Sequence, residues 1–142
     1  MAGNRTLTII KPDAFGAAKT GKIVALLEGD GFHIRAARVV HLGEQEAQAF
    51  YEVHRGRPFY SSLVKFMTSG PCMPMVLERA DAVAELRKVI GATDPAEAAP
   101  GTVRKLFAES KERNAIHASD SDENAERETH FFFGDTELLR AR

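Results

Sequence analysis

The chain has 142 residues, 44% of them hydrophobic and 27% charged, which is typical of a folded globular protein rather than a disordered one. Its 19 Lys and Arg nearly balance its 20 Asp and Glu, which argues against a protein-wide affinity for nucleic acid or anionic membranes. The single cysteine, Cys72, cannot form an internal disulfide, and Met1–Leu7 lacks the apolar core of a signal peptide. No apolar run approaches the length of a membrane span, so we expect a cytoplasmic protein without a membrane partner.

Apolar periodicity and turn residues predict the elements in chain order. They are a strand at 6–10, a helix at 20–28, a strand at 32–42, helices at 44–51 and 61–66, a strand at 71–78, a helix at 81–90, a short helix at 122–127 and a strand at 129–133. The first strand ends at Lys11, because Pro12 cannot donate to a strand ladder. A long connection over 92–113 follows the helix at 81–90. Long ordered loops of this kind are often functional.

The order of strands and helices predicts the fold class. Split βαβ units of this kind give an α+β, ferredoxin-like sandwich with a four-stranded antiparallel sheet and helices on one face. We detect no internal repeat and no linker. The expectation is therefore one domain over 1–142, with a long loop available for a ligand.

Candidate chemistry is concentrated in the stretch 114–121, Asn-Ala-Ile-His-Ala-Ser-Asp-Ser. His117 lies there among side chains that can bond either ring nitrogen, and a neutral imidazole is a competent nucleophile. The same stretch also resembles an ordinary helix start, with Ser or Asp as the N-cap. The residues around it leave both interpretations open.

Other site types fit poorly. The five histidines show no metal-type pairing with each other or with Cys72, and the chain has neither a P-loop nor a Gly-x-Gly-x-x-Gly motif nor a Gly-x-Ser-x-Gly elbow. What remains is one nucleophile with cations in or beside turns, namely Lys11, Arg57, Arg87 and Arg104. Such a set suits an anionic substrate, above all phosphate.

The motif Asn114-x-x-His117-x-Ser119-Asp120-Ser121 resembles the signature of the nucleoside diphosphate kinase family. Further segments match the family in the expected order over essentially the whole chain. They are Ile9-Ile-Lys-Pro-Asp-Ala14, Tyr51 with Arg57-Pro-Phe59, Ser69-Gly-Pro71, Gly91-Ala-Thr-Asp-Pro95 and Pro100-Gly-Thr-Val-Arg104.

The resemblance implies transfer of the γ-phosphate of a nucleoside triphosphate, typically ATP, to nucleoside diphosphates through a phosphohistidine, which maintains nucleoside triphosphate pools. It implies that His117 is the nucleophile, that Glu128 holds the other ring nitrogen and that Ser119 supports Glu128. It implies Phe59 as the residue that stacks on the base. The positions it implies for contacts to phosphates, ribose or the reacting centre are Lys11, Tyr51, Arg87, Thr93, Arg104 and Asn114. Mg²⁺ would arrive on the nucleotide, with Asp120 at most a neighbour through water.

Four residues depart from the family pattern. Ala118 replaces a usual glycine, which could alter the local turn. Lys105-Leu106 replaces a small residue followed by Asp, and Lys111 replaces an apolar residue that packs on the base.

Two expectations stay open at this point. A degenerate relative could keep the fold as a non-catalytic ligand-binding or nucleic-acid-binding module, because fold does not fix function. Intact His117, Lys11, Arg104 and Asn114 favour the enzyme. The family forms homo-oligomers, and the short segment after the predicted last strand favours a tetramer over a hexamer.

Overall fold

The computed structural model describes residues 3–140, so the ends of the predicted domain 1–142, including Met1 and Ala2, lie outside the described residues. The strands are β1 Arg5–Ile10, β2 His33–Ala37, β3 Met73–Glu78 and β4 Ile116–Ala118. The helices are α1 Pro12–Gly16, α2 Thr20–Gly29, α3 Glu44–Phe50, α4 Tyr60–Met67, α5 Ala82–Ile90, α6 Val103–Phe107, α7 Asp122–Phe132 and α8 Asp135–Arg140, with a 3₁₀ turn at Glu52–His54.

The predicted fold class is confirmed. The four strands form one antiparallel sheet in the order β2-β3-β1-β4. The predicted second strand was too long, since β2 ends at Ala37 and only an isolated bridge from Val40 to Cys72 continues the pairing. Cys72 is fully buried there and packs in the hydrophobic core.

Helices cover both faces of the sheet, so the expectation of helices on one face was wrong. Leu7 and Ile9 of β1 pack into a core with α3, α4 and α7, whereas Ile10 packs into a second core with α2 and α5. The reason is visible in β1, where every residue from Thr6 to Ile10 is buried. A strand without an exposed face requires cover on both sides.

The predicted strand at 129–133 was also wrong, because those residues continue helix α7 as far as Phe132. Helical spacing of the buried positions Ala125, Glu128, Thr129 and Phe132 decided the outcome. The three consecutive phenylalanines had suggested β structure, since aromatic residues are enriched in strands. The fourth strand is instead β4, which contains His117 at its centre.

The long connection between α5 and β4 is partly helical. Val103 opens α6 and is fully buried against the second core, while Leu106 is exposed. Thr102 caps α6, because its side chain accepts a hydrogen bond from the Lys105 amide. Within residues 3–140, no helix is both long and apolar enough to cross a membrane.

Candidate active site

Two elements place the candidate nucleophile. His117 is the middle residue of β4, opposite Ile9 of β1, and its carbonyl accepts a hydrogen bond from Thr8 Oγ1 at 2.7 Å. Four residues after His117, Ser121 caps α7 by accepting a bond from the Asn124 amide at 3.0 Å. The stretch therefore starts a helix, as one interpretation predicted, and it also places His117 in a strand; the nucleophilic role of His117 stays a prediction.

His117 forms a short hydrogen-bonded chain with two other predicted site residues. His117 Nε2 lies 2.8 Å from Glu128 Oε1, and Ser119 Oγ donates to the same oxygen at 2.6 Å. Burial by itself raises the pKa of Glu128, but the hydrogen bond and charge of His117, with the Ser119 hydroxyl, bring that pKa below its ordinary value. Glu128 is therefore an anionic acceptor that faces Nε2.

Two aromatic rings lie next to the imidazole. The ring centroids of Phe50 and Tyr51 lie 5.5 and 6.3 Å from that of His117, both in edge-on geometry. Tyr51 is buried, and its hydroxyl has no hydrogen-bond partner among residues 3–140. Burial raises the pKa of Tyr51, so the group is a neutral hydroxyl available to a bound anion.

Lys11 is buried at the end of β1, with only 6% of its surface exposed. Its ammonium donates to Asn114 Oδ1 at 2.8 Å and to the Glu112 carbonyl at 3.4 Å. Asn114 Nδ2 in turn donates to the carbonyl of Thr93 at 3.3 Å. Burial, and secondly the charge of Arg104, lower the pKa of Lys11 to about 8. A bound anion would therefore stabilise this ammonium.

Arg104 is a second buried cation. Its Nη2 donates to the Ile116 carbonyl at 2.7 Å and its Nη1 to the Gly91 carbonyl at 3.1 Å. Gly91 has φ +89°, and a Cβ there would stand 2.6 Å from Thr102 Oγ1, so only glycine fits. Burial, and then the charge of Arg87, lower the pKa of Arg104 to about 10. Lys11 and Arg104 therefore place positive charge in this region before any anionic substrate is bound.

A strained turn precedes the nucleophile. Ala115 has φ +75°, and the Ile116 amide bonds back to the Asn114 carbonyl at 2.9 Å, which makes a γ-turn. The Ala115 amide donates to Asp13 Oδ2 at 3.1 Å, and its carbonyl accepts from the Lys11 amide at 2.9 Å. The segment after β1 thus holds the turn in place. A positive φ at a residue other than glycine has an energetic cost, and such strained conformations are common at functional sites.

Phe59 presents a ring face at the other end of the predicted site. The ring is 45% exposed, which is unusual for phenylalanine, and the His54 ring meets it at 5.3 Å. His54 also stacks on Tyr51 at 6.3 Å. Lys111 is exposed, as expected for a charged residue in this loop.

The departures at 118, 105 and 106 cause little disturbance. Ala118 lies in β4 opposite Thr8 and does not adopt a left-handed backbone conformation, so the glycine is not needed there. Lys105 is exposed and its ammonium reaches the Pro95 carbonyl at 3.4 Å, while Leu106 points to solvent.

Sequence reasoning missed several residues that the fold adds to this region. They are Asp13 at the strained turn, Phe50 against His117, His54 beside Phe59, and Glu112 and Phe66 at Lys11. For His54 a signal existed, because it lies in the same turn-rich segment as Phe59. Asp13, Phe50 and Glu112 also lie within two residues of predicted site residues, but their contacts, like that of Phe66, appear only in the folded chain.

The remaining predicted residues lie around the same loops. Asp120 is exposed, and a hydrogen bond from Asn124 Nδ2 at 2.6 Å, with the charge of Arg87 as a smaller effect, lowers its pKa. Arg87 and Thr93 are exposed. The arrangement couples an oriented imidazole to buried cations, which is suited to in-line transfer of a phosphoryl group.

Comparison with known proteins agrees with this chemistry. A sequence model described as "Nucleoside diphosphate kinase" matches residues 4–138. The nucleoside diphosphate kinase of Gluconacetobacter diazotrophicus is 58% identical over 139 residues, which cover 98% of this chain and 99% of the relative. That of Chlorobium chlorochromatii is 55% identical over 137 residues, 96% of this chain and 98% of the relative.

Solved structures resemble the chain equally closely. The Aquifex aeolicus nucleoside diphosphate kinase superposes with a TM-score of 0.93 at 45% identity, covering 94% of this chain and 97% of that one. A halophilic nucleoside diphosphate kinase from Halobacterium salinarum in complex with CDP gives a TM-score of 0.90 at 38% identity, covering 95% and 91%.

Proposed function

Because the chain belongs to the nucleoside diphosphate kinase family, we propose that it transfers the γ-phosphate of a nucleoside triphosphate, typically ATP, to nucleoside diphosphates by a ping-pong mechanism through phospho-His117. The observation that carries this proposal is the 2.8 Å contact between His117 Nε2 and Glu128, itself fixed by Ser119. It gives the imidazole one defined orientation and one free nitrogen.

The contact also selects the tautomer. Since Glu128 is an anionic acceptor, Nε2 carries the proton and Nδ1 keeps its lone pair. Nδ1 then attacks the γ-phosphorus while the bond from phosphorus to the β-phosphate oxygen breaks, and the nucleoside diphosphate leaves with that electron pair. The ring becomes positively charged as the N–P bond forms, and the carboxylate of Glu128 stabilises it. A second nucleoside diphosphate reverses the step.

The other site residues position and neutralise the substrate. Lys11 and Arg104 are preorganised cations for the phosphates, and Arg87 adds an exposed one. Tyr51 and Asn114 contribute polar groups near the reacting atoms, and Thr93 lies beside Asn114 through its carbonyl. The exposed ring of Phe59 stacks on the base. The same pocket serves donor and acceptor in turn.

Mg²⁺ fits this site as an ion carried by the nucleotide. Within residues 3–140, no three acidic, histidine or cysteine side chains are grouped closely enough to hold a metal ion, so phosphate oxygens and water would supply most ligands. Asp120 is the carboxylate that would hold it, through water, and its lowered pKa keeps it ionised. When bound, Mg²⁺ would neutralise phosphate charge.

The cellular setting follows as part of the proposal. One catalytic domain spans the chain and acts on nucleoside triphosphates and diphosphates in the cytoplasm, without a membrane or a dedicated nucleic-acid partner. Cys72 is buried, and burial raises the pKa of its thiol to about 11, so we expect it to be an unreactive packing residue. The working form is a homo-oligomer, with a tetramer favoured and a hexamer possible.

A phosphoenzyme assay tests the proposal. Incubation with ATP and Mg²⁺ is expected to place acid-labile, base-stable phosphate on the protein, and ADP is expected to remove it. His117→Ala should abolish both phosphate incorporation and transfer while ADP binding persists. Substantial transfer by folded His117→Ala would refute the mechanism, and binding without transfer in the wild type would favour a non-catalytic module.

A further inference from the structure

The buried ammonium of Lys11 has a third neighbour besides its two hydrogen-bond acceptors. Lys11 Nζ lies 5.5 Å from the ring centroid of Phe66, which belongs to α4. That separation is within the range in which a cation is attracted by the quadrupole of an aromatic ring. Phe66 is itself buried, so water does not screen the contact.

A second cation uses the same ring. The guanidinium carbon of Arg113 lies 5.6 Å from the centroid of Phe66. Arg113 immediately precedes Asn114, which accepts the Lys11 hydrogen bond. Phe66 belongs to the first hydrophobic core, and its ring also contacts cations from two segments of the proposed site, which packing alone does not require.

The charges around Lys11 do not hold it by themselves. Arg104 repels the ammonium and burial disfavours it, while Asp13 and Glu112 attract it. The balance leaves the ammonium less stable than in water, so a further attraction from the ring has a direct effect on charge and placement. The helix that carries Phe66 also contacts this loop through Ser62 Oγ, which donates to the Glu112 carboxylate at 2.6 Å.

We propose that Phe66 is a positioning residue for Lys11, whose ring face partly replaces the water lost on burial and holds the ammonium toward the substrate phosphates. The inference rests on the proposed phosphate-binding role of Lys11. It gives α4 two roles, because Phe59 is its N-cap and Phe66 lies seven residues further along, near its C-terminal end. The base-binding ring and the phosphate-binding lysine are then held by one rigid helix.

The direct test is an NMR titration of Lys11 in the free protein, assigned with Lys11→Arg. Phe66→Leu is expected to lower the Lys11 pKa by about one unit, the size of one partly desolvated cation–π contact. Phe66→Tyr should restore it. Trifluorophenylalanine at position 66, which keeps the ring shape but weakens its negative face, should lower it as Phe66→Leu does. Met67→Leu, buried on the same helix in the same core cluster, is the matched control and should leave it unchanged.

The pH profile of kcat/KM gives the functional counterpart. The alkaline limb of Phe66→Leu should move down with the Lys11 pKa, with a loss of about twofold at pH 7 and about tenfold above pH 9. An unchanged Lys11 pKa in folded Phe66→Leu and in the trifluoro variant would overturn the inference, as would an equal shift in Met67→Leu. Because the titration needs no turnover, failure of the proposed phosphotransfer is seen separately.

Discussion

His117 lies on β4 and Lys11 directly follows the neighbouring strand β1, and their surroundings act on charge in opposite ways. The Glu128 carboxylate lies 2.8 Å from His117 Nε2 and would stabilise the positive ring that forms in the proposed phosphorylation of Nδ1. Lys11 carries its charge at a cost, since burial and Arg104 lower its pKa to about 8. The site thus stores unfavourable positive potential that a polyphosphate relieves. This is electrostatic preorganisation at the level of single residues.

The Lys11 pKa predicts that nucleotide binding takes up protons. A nearby polyphosphate favours the ammonium and raises its pKa above the value of about 8 in the free protein. Affinity for ADP is therefore full below pH 8 and falls as pH rises through 8, until the pKa of the complex is reached. Calorimetry at pH 8.5 in two buffers of different ionisation enthalpy measures the uptake. Lys11→Arg, which stays protonated, should show none, and equal uptake in that variant would contradict the assignment.

We expect that replacing Lys111 by an apolar residue has only a small effect on ADP binding. The side chain is exposed, so its stem can cover a base on the face opposite Phe59 while the ammonium stays in water. Lys111→Leu should change the free energy of ADP binding by about 1 kcal/mol or less. Lys111→Glu should weaken binding somewhat more, and the extra loss should shrink at high ionic strength. The measurement is Kd for ADP at two salt concentrations. A loss of several kcal/mol in Lys111→Leu would mean a direct contact.

At the scale of elements, helix α7 is the decisive piece. It supplies Glu128 to the site from one face and packs Phe132 into the core, while Ser121 caps its start next to the nucleophile. The direction of the carboxylate is therefore set by the packing of the whole helix. Any change that breaks α7 near its middle should affect both stability and the His117 contact.

A proline substitution tests this helix. His130 lies in the last turn of α7 on an exposed face, so His130→Ala should change the free energy of unfolding by about 0.5 kcal/mol or less. His130→Pro removes a helix hydrogen bond and clashes with the preceding turn, and should cost about 3 kcal/mol or more. Urea unfolding of the pair gives the difference. Near-equal stability of the two variants would indicate that residues 129–133 are not helical.

At the scale of the molecule, β2 forms one edge of the sheet. Within residues 3–140 it pairs only with β3, and Ile34 and Val39 are exposed hydrophobic residues on or beside it. An edge of this kind is a ready surface for pairing with a second copy. It is consistent with the proposed homo-oligomer.

We expect substitutions at the β2 edge to weaken the contact between subunits. Ile34→Asp combined with Val39→Asp should shift the protein to a smaller species, because two carboxylates would be buried unpaired at the contact. Val53→Asp, at an exposed hydrophobic residue in the 3₁₀ turn, is the control and should leave the mass unchanged. Sedimentation equilibrium at micromolar concentration measures both. An unchanged mass in the double variant would place the interface elsewhere.

The sequence alone determined the class of fold and most of the candidate site. Local information was sufficient for β1, α2, α3 and α5, because their apolar periodicity and their flanking glycine and proline residues all agree. The motif around His117 was equally informative, since its residues lie next to one another in the chain. The roles that it implies for them stay predictions.

Tertiary structure decided what depended on distant segments. The three phenylalanines 131–133 could form a strand or a helix until Glu128 and Phe132 were packed together on one face of α7. His117 could not be placed in a strand from its own neighbours, because β4 has three residues and exists only through pairing with β1. The contact between Phe66 and Lys11 joins residues 55 positions apart along the chain (66 − 11). Periodicity in the sequence indicates which residues are buried. It does not indicate that both faces of the sheet are covered or which charged side chains come together, because these contacts form only when the chain has folded.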